Sequence, residues 1–312
     1  KVMDILRSYT PLFQQVSIDE AFLDVSDLPK PAGVIAREIQ ERVDREVHLP
    51  CSLGVATNKL VAKVANDFGK SQVKSGQAPR QITIVPPGEE AAFLAPLEVQ
   101  ALWGIGPKTS QKLHGQGIHT IGQLAALSVA ELESYFGNNA LEMHARALGI
   151  DPSPVHSERE VKSVSNEVTF ASDTVDSEAL KRTLRALADK VGYRLRQAGL
   201  AGSVVQIKLR YSNFETLTRQ TALPQPTDLD DEIYEAAEKI FEANITPARP
   251  VRLIGVGVSK LSPPYRQLSL WDDDQEEKEK LAGAIDQLKE KYGQDIIKRA
   301  SMLKNSKESS PS

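Results

Sequence analysis

The sequence predicts an α+β chain of several domains. Three stretches of different character carry that reading. Residues 1–85 alternate strands and helices, residues 86–156 read as short helices broken by glycine, and residues 157–266 follow the order β-α-β-β-α-β. A chain of 312 residues has room for about two ordinary domains.

In residues 1–85, "KVMDILRSYTPLF" reads as a helix already under way, and because residue 1 is Lys the natural start is expected to lie upstream. "FQQVSIDEAFLDVS" follows as a strand pair around "SIDE". "AGVIAREIQERVDREV" places Ile35, Ile39 and Val43 at helical spacing. "CSLGVA" and "QITIV" read as strands on either side of the helix "TNKLVAKVANDFG", with Thr57 as its N-cap and Gly69 just past its end. Pro86, Pro87 and Gly88 then interrupt.

Residues 86–156 hold five helical pieces, and Pro152 and Pro154 mark a linker. In residues 157–266, "VKSVSNEVTF", "SVVQIKLRYSNF", "TLTRQTAL" and "VRLIGVGVSKL" are strands. "SEALKRTLRALADKVGYRLRQAG" and "DDEIYEAAEKIFEANI" are helices, which gives a ferredoxin-like order. Residues 267–312 comprise an apolar-acidic segment, the charged run "DDDQEEKEK", a helix-period stretch to about Leu303 and a Ser/Lys tail expected to be disordered.

The bulk numbers exclude several function classes. No run of eighteen apolar residues exists, so no membrane span is predicted, and no signal peptide is visible. One cysteine, Cys51, excludes an internal disulfide or a multi-cysteine zinc site and fits a reducing, cytoplasmic setting. The net charge of −4 does not announce a nucleic-acid partner. Residues 86–156 carry 3 Lys/Arg against 7 Asp/Glu, so any grip on DNA there must come from local geometry.

Asp19 and Glu20 are adjacent acids inside an apolar, β-prone run. Unpaired buried charge is costly, and successive strand side chains point to opposite faces. A hairpin tip would break the pleat, expose both acids to water and let them share a site. Hard carboxylate oxygens suit Mg²⁺ or Mn²⁺. By spacing alone the pair reads more readily as a surface turn with solvated acids, since adjacent Asp-Glu pairs are common. "LWGIGPKTSQKLHGQGIHTIGQL" places Gly104 and Gly106 in a Gly-x-Gly turn before Pro107, where backbone N–H groups can meet a phosphate and Lys108 and Thr109 can add contacts. Leu113, Gly117, Ile118, Ile121 and Leu124 would pack its helices together; a glycine-containing turn in a plain bundle is the other reading.

These stretches resemble Y-family translesion DNA polymerases. "SIDEAFLD" is similar to that family's catalytic signature, "CSLGVATNKLVAKVANDFGKSQ" to its second palm motif and "GIGPKTSQKLHGQGIHTIGQL" to its thumb helix-hairpin-helix. "KSVSNEVTF" and "RLIGVGVSKL" look like the first and last strands of its little-finger domain, so the likeness runs over roughly residues 1–271. The resemblance implies part of a polymerase palm (1–85), a thumb (86–156), a little finger (157–266) and a clamp-binding motif with a charged tail (267–312). It implies lesion-bypass DNA synthesis for repair and damage tolerance, with primer–template DNA and dNTP as partners and two Mg²⁺ ions, or Mn²⁺, as cofactors.

Residue by residue, the resemblance makes Asp19 and Glu20 metal-binding, catalytic carboxylates and Lys70 a contact to the nucleotide triphosphate. It lays the outer sheet on DNA phosphates, with Lys162, Ser163, Arg219, Arg252 and Lys260 as candidate contacts. "RQLSLWDD" resembles the bacterial sliding-clamp motif, with Gln267, Leu268, Leu270 and Trp271 as anchors and Trp271 where Phe is usual. Asp24 is expected to serve the hairpin or the surface. The family's metal site also takes an Asp from an earlier palm strand, and the fingers follow that strand. Neither is recognisable here, and Asp4 sits in a helix-like stretch, so these 312 residues are expected to act as a monomer that does not extend a primer alone. The alternative is a non-catalytic DNA- and clamp-binding accessory protein, which would have no need for Asp19, Glu20 and Lys70.

Overall fold

The computed structural model describes residues 1–73, 75–157, 160–264, 273–293 and 296–297, and of residues 273–276 the backbone only. The chain divides into two units, residues 1–159 and 160–312.

The first unit opens with α1 (Val2–Arg7), in which Asp4 is engaged by Arg7. β1 (Phe13–Gln15) and β2 (Ala21–Leu23) form an antiparallel hairpin, with Phe13 opposite Leu23 and Gln15 opposite Ala21. α2 (Ala32–Val47) buries Ile35, Ile39 and Val43 together with Ile5, as the helical spacing predicts. β3 (Leu53–Val55) runs parallel to β4 (Ile82–Ile84), and α3 (Lys59–Ser71) connects them. Gly54 lets β3 lie directly on α3, since a Cβ there would come within 1.9 Å of the Ala62 carbonyl oxygen.

Both predicted ends of α3 shift. The N-cap is Asn58, not Thr57. The Asn58 side chain accepts from Val61 N at 3.0 Å and donates to Gly149 O at 2.8 Å, a tertiary bond that a cap at Thr57 would not make. Thr57 instead donates to Glu90 Oε1 at 2.5 Å. Gly69 lies inside the helix rather than past its end, because it packs on β4: a Cβ would sit 2.4 Å from Thr83 Oγ1. Lys70 therefore occupies the last turn of α3.

The helical stretch comprises α4 (Glu90–Leu94), a 3₁₀ turn (Val99–Ala101), α5 (Pro107–His114), α6 (Ile121–Ala125), α7 (Val129–Phe136) and α8 (Ala140–Ala147). Capping boxes start α6 (Thr120 with Gln123) and α7 (Ser128 with Glu131), which is why such short pieces hold helical form. Their buried Leu94, Leu113, Ile121, Leu124 and Leu132 share one core with Leu60, Val61 and Val64 of α3. The change of element type near residue 86 thus falls within a continuous core.

The second unit contains β5 (Ser163–Thr174), α9 (Ser177–Gln197), β6 (Ala201–Tyr211), β7 (Thr216–Thr227), α10 (Asp230–Asn244) and β8 (Val251–Ser262). The order is β-α-β-β-α-β, as predicted. The sheet runs β5-β8-β6-β7 with every neighbour antiparallel, so β6 and β8 are central. Val205, Ile207, Leu209, Ile254, Val256 and Val258 face α9 and α10 and build the core with Leu184, Val191 and Phe241. Among the described residues of this unit, no helix covers the opposite face.

α11 (Asp273–Tyr292) follows. It begins inside the charged run that the sequence reading set before it, and reaches the sheet unit through Asp286, which is buried against Arg196. No helix among the described residues is long and apolar enough to cross a membrane.

Candidate active site and nucleic-acid interface

The β1–β2 hairpin places both adjacent acids at its tip. Its loop closes where Val16 N and Ser17 N donate to Glu20 O at 2.9 and 3.2 Å, so Asp19 and Glu20 lie at the tip, outside the pleat. Ser17 organises the turn. Its hydroxyl donates to Asp19 Oδ1 at 2.5 Å and accepts from the N–H groups of Asp19 and Glu20. Asp24 lies beyond β2, and its carboxylate accepts from Ser26 N at 3.0 Å, a local cap.

α3 faces this tip. Lys63, Asp67 and Lys70 stand at i, i+4 and i+7 on one side of the helix. Lys63 Nζ lies 2.5 Å from Glu20 Oε1 and 3.3 Å from Asp67 Oδ1. Burial opposes the charge on Lys63, but the hydrogen bond to Glu20 and the charge of Asp67 outweigh it and raise its pKa. The Ser17 hydrogen bond holds the Asp19 carboxyl below the usual carboxylate range, and the charges of Lys70 and Lys63 add to that. Lys70 itself is exposed. The sequence reading singled out Lys70 and missed Lys63. The spacing from Lys63 to Lys70 was a usable signal, while the partner Glu20, 43 residues away, was not visible in any local pattern.

Asp19 and Glu20 offer hard oxygen donors at an accessible tip, the chemistry Mg²⁺ takes when one or two carboxylates and substrate phosphates hold it. Among the described residues no group of three or more His, Cys, Asp or Glu side chains is placed to hold a metal ion. The pair therefore fits one such ion, completed by water and phosphate; a second ion calls for a further carboxylate.

The Gly-x-Gly turn splits its two glycines into different roles. Gly104 has φ 107°, a conformation side chains rarely adopt. Gly106 is the N-cap of α5 with an ordinary φ of −83°, and a Cβ there would meet nothing within 4 Å. Its use is space, which keeps the start of α5 open. Pro107 is the first helical residue, and the N–H groups of Lys108 and Thr109 follow in the first turn, where a helix has no partner of its own for them. Ahead of the turn the chain makes only the 3₁₀ turn Val99–Ala101. Leu113, Ile118, Ile121 and Leu124 are buried together as predicted, whereas Gly117 packs on nothing and supplies a left-handed φ of 78°. Arg146, one of the three cations of this stretch, lies against the turn: a Cβ on Gly104 would come within 2.8 Å of its Nη1.

In the second unit, register separates the predicted contacts. The open face carries Ser163, Ser165 and Glu167 of β5, Gly255 and Gly257 of β8, Gln206, Lys208 and Arg210 of β6, and Thr216, Thr218 and Gln220 of β7. Ser163 is where the sequence reading expects it. Arg219 pairs with Ile207 and so belongs to the helix side, where it lines a groove with Glu232, Glu235 and Lys239 of α10. Arg252 falls at a register break in β8, 3.7 Å from Asp173 and stacked over Phe214. Lys260 is exposed at a left-handed φ of 52°, and Lys162 is exposed just before β5. Lys208 and Arg210 are cations on the open face, which the alternation in "QIKLRY" already signals. Gln267, Leu268, Leu270 and Trp271 lie outside the described residues.

Residues 1–67 match the impB/mucB/samB family, residues 87–118 its HHH motif and residues 161–270 its C-terminal domain. The chain is 39% identical over 297 residues to DNA polymerase IV of Dehalococcoides mccartyi, an alignment that takes in 94% of this chain and 74% of the relative. The chain belongs to the DNA polymerase IV branch of the Y family of DNA polymerases. DNA polymerase IV 1 of Bacillus subtilis is 37% identical, with 96% of this chain and 72% of the relative aligned. The chain thus spans about three quarters of the length of these DNA polymerase IV relatives. Among solved structures, the Y-family DNA polymerase chimera Dbh-Dpo4(243-245)-Dbh shares the fold at a TM-score of 0.71 and 20% identity, over 84% of this chain and 75% of that one. DNA polymerase IV is a DNA-directed DNA polymerase, and Y-family polymerases use divalent metal ions.

Proposed function

We propose that this chain carries the catalytic hairpin and the DNA-holding parts of a lesion-bypass polymerase, which joins a dNTP to a primer 3′-hydroxyl against a template. The observation that carries the proposal is the hairpin tip. Asp19 and Glu20 stand together there, opposite a helix face bearing Lys63 and Lys70, as a site for metal and triphosphate requires. Asp19 and Glu20 would hold Mg²⁺, or Mn²⁺. When bound, the metal supplies charge neutralisation at the transferring phosphate and acidifies the attacking hydroxyl. Ser17 fixes the Asp19 carboxylate, and its depressed pKa keeps it ionised and ready to bind a cation. Lys70, as an exposed ammonium, meets the triphosphate as a point charge.

Gly104, Gly106, Lys108 and Thr109 grip the DNA backbone without reading sequence, and the open face of the second unit does the same through Ser163, Lys208 and Arg210. Lys162, Arg252 and Lys260 are further candidates at its margins. Gln267, Leu268, Leu270 and Trp271 form a docking peptide for a bacterial sliding clamp; Leu270→Ala with Trp271→Ala should abolish clamp binding, and unchanged affinity would refute that assignment.

The test of catalysis is a fusion of these 312 residues to the portion of the Bacillus subtilis relative that they do not span. The fusion should extend a primer with Mg²⁺, and the 312-residue chain alone should not. Within the fusion, Asp19→Asn or Glu20→Gln should each cut extension by more than 100-fold, about 3 kcal/mol of barrier. Full activity in either variant would remove that carboxylate from the site.

A further inference from the structure

We infer that Lys63 is a positioning residue for Glu20, holding one carboxylate oxygen so that the other is presented to the metal. The inference rests on reading Asp19 and Glu20 as metal ligands. Lys63 Nζ takes Glu20 Oε1 alone, at 2.5 Å, and leaves Oε2 unengaged by it. The ammonium is fixed from a second side by Asp67, 3.3 Å away and one turn along α3. It is not an ordinary surface lysine, for its side chain is 19% exposed against 34% for Glu20.

The helix that carries Lys63 is itself anchored. Leu60, Val61 and Val64, around it in sequence, are buried in the core that continues into the helical stretch. The bond therefore ties a loop side chain to one of the firmest elements of the unit. With its two side chains still 19% and 34% exposed, the pair is partly screened by water and adds little to stability, so fixing the orientation of a hairpin-tip side chain explains it better. Two adjacent carboxylates also repel one another, and the Lys63 ammonium on Glu20 Oε1 offsets that while Oε2 stays clear of it. Metal-bound carboxylates are commonly oriented by such outer hydrogen bonds, and losing one costs roughly 10–100-fold in metal affinity.

Mn²⁺ titration of the 312-residue chain, followed by the loss of the free-ion paramagnetic resonance signal, tests this without any turnover. Wild-type binding should disappear in Asp19→Asn and in Glu20→Gln. Lys63→Met, which keeps the aliphatic stem but not the charge, should weaken Mn²⁺ roughly 10–100-fold, and Lys63→Arg should restore most of the affinity. Thermal melts of the same proteins separate orientation from folding, since a merely structural lysine would move the melt and leave affinity per folded molecule unchanged. Unchanged or tighter Mn²⁺ binding by Lys63→Met overturns the inference and leaves the ligand reading standing. Wild-type binding that ignores Asp19 and Glu20 overturns both.

Discussion

Arg196 grips Asp286 with one edge of its guanidinium: Nε donates to Oδ2 at 2.6 Å and Nη2 to Oδ1 at 3.1 Å. The same side chain reaches Asp230 Oδ1 at 2.8 Å and the Asp228 carbonyl at 2.6 Å through Nη1. It thereby ties α9, α10 and α11 together. Gly192 makes room, for a Cβ there would lie 2.1 Å from Asp230 Oδ1. Although burial opposes its charge, the two carboxylates hold the Arg196 pKa above that of free arginine. Arg196→Ala would leave two carboxylates largely buried and unpaired, a change that costs about 3–5 kcal/mol. Urea unfolding of the chain should show that loss in the transition of the second unit. Replacing the whole charged cluster with apolar side chains, by Arg196→Met, Asp230→Leu and Asp286→Leu together, should recover much of it. Asp286→Asn, which frees only α11, should raise hydrogen exchange in that helix and leave the β-sheet protected.

How far the sequence speaks depends on the range of the interaction. α2, α9 and the hairpin tip are legible because their signals are local: Ile35, Ile39 and Val43 repeat at helical spacing, and Asp19 and Glu20 interrupt an apolar run. The cap of α3 is only half legible. Thr57 and Asn58 are both good N-caps, and Asn58 prevails because it also binds Gly149 O, 91 residues on. Gly69 reads as a helix stop until Thr83 is seen packed against it. Arg196 with Asp286 and Lys63 with Glu20 are pairings 90 and 43 residues apart, which no periodicity records. The two faces of the outer sheet were legible in principle. Arg219 stands on the helix side, which "LTRQTAL" does not reveal because it does not say which of its alternating sets faces the helices; pairing with Ile207 decides it.

The two glycines of the Gly-x-Gly turn should fail in different ways. Gly104→Ala forces a side-chain residue to φ 107°, at a cost of about 1–3 kcal/mol, and should lower both thermal stability and DNA affinity. Gly106→Ala changes only an N-cap with open space around it, at about 0.5–1 kcal/mol. Its larger effect should be on binding, because the added methyl would stand in the way of a phosphate held at the start of α5. Fluorescence anisotropy with duplexes of unrelated sequence should show the same several-fold loss for each. Wild-type affinity in Gly106→Ala would count against phosphate binding at this turn.

Ser17 predicts a pH effect. Its hydrogen bond is the largest cause of the lowered Asp19 pKa, so Ser17→Ala should move the Asp19 titration upward, toward the ordinary carboxylate range. The sign for stability follows. A carboxyl whose folded-state pKa is depressed contributes stability above its unfolded value, and that contribution fades as pH falls through the folded value. The stability difference between wild type and Ser17→Ala should therefore be present at neutral pH and shrink in acid below the ordinary Asp range. NMR titration of the Asp19 carboxyl carbon in both proteins reads the shift directly, and identical titration curves would show that the hydroxyl bond does not persist in solution.

The open face of the second unit offers two cations where the register puts them side by side with small residues. Lys208 and Arg210 alternate with core residues on β6, and Gly255 and Gly257 on β8 leave the neighbouring surface low, so a phosphate backbone can approach closely. In the free protein, Lys208 is held by Glu167 at 2.8 Å and Arg210 donates to Thr216 Oγ1 at 2.9 Å. Phosphate must displace a carboxylate from Lys208 but only a neutral hydroxyl from Arg210, so Arg210→Ala should lose more affinity than Lys208→Ala. Lys208→Ala and Arg210→Ala should each weaken binding evenly across DNA sequences and flatten the salt dependence of log affinity by about one unit per lost contact. Glu167→Gln, which releases Lys208, should tighten binding at low salt. Arg219→Ala, on the helix side, should change neither affinity nor slope. A loss in Arg219→Ala equal to that in Arg210→Ala would place the DNA on the other side of the sheet.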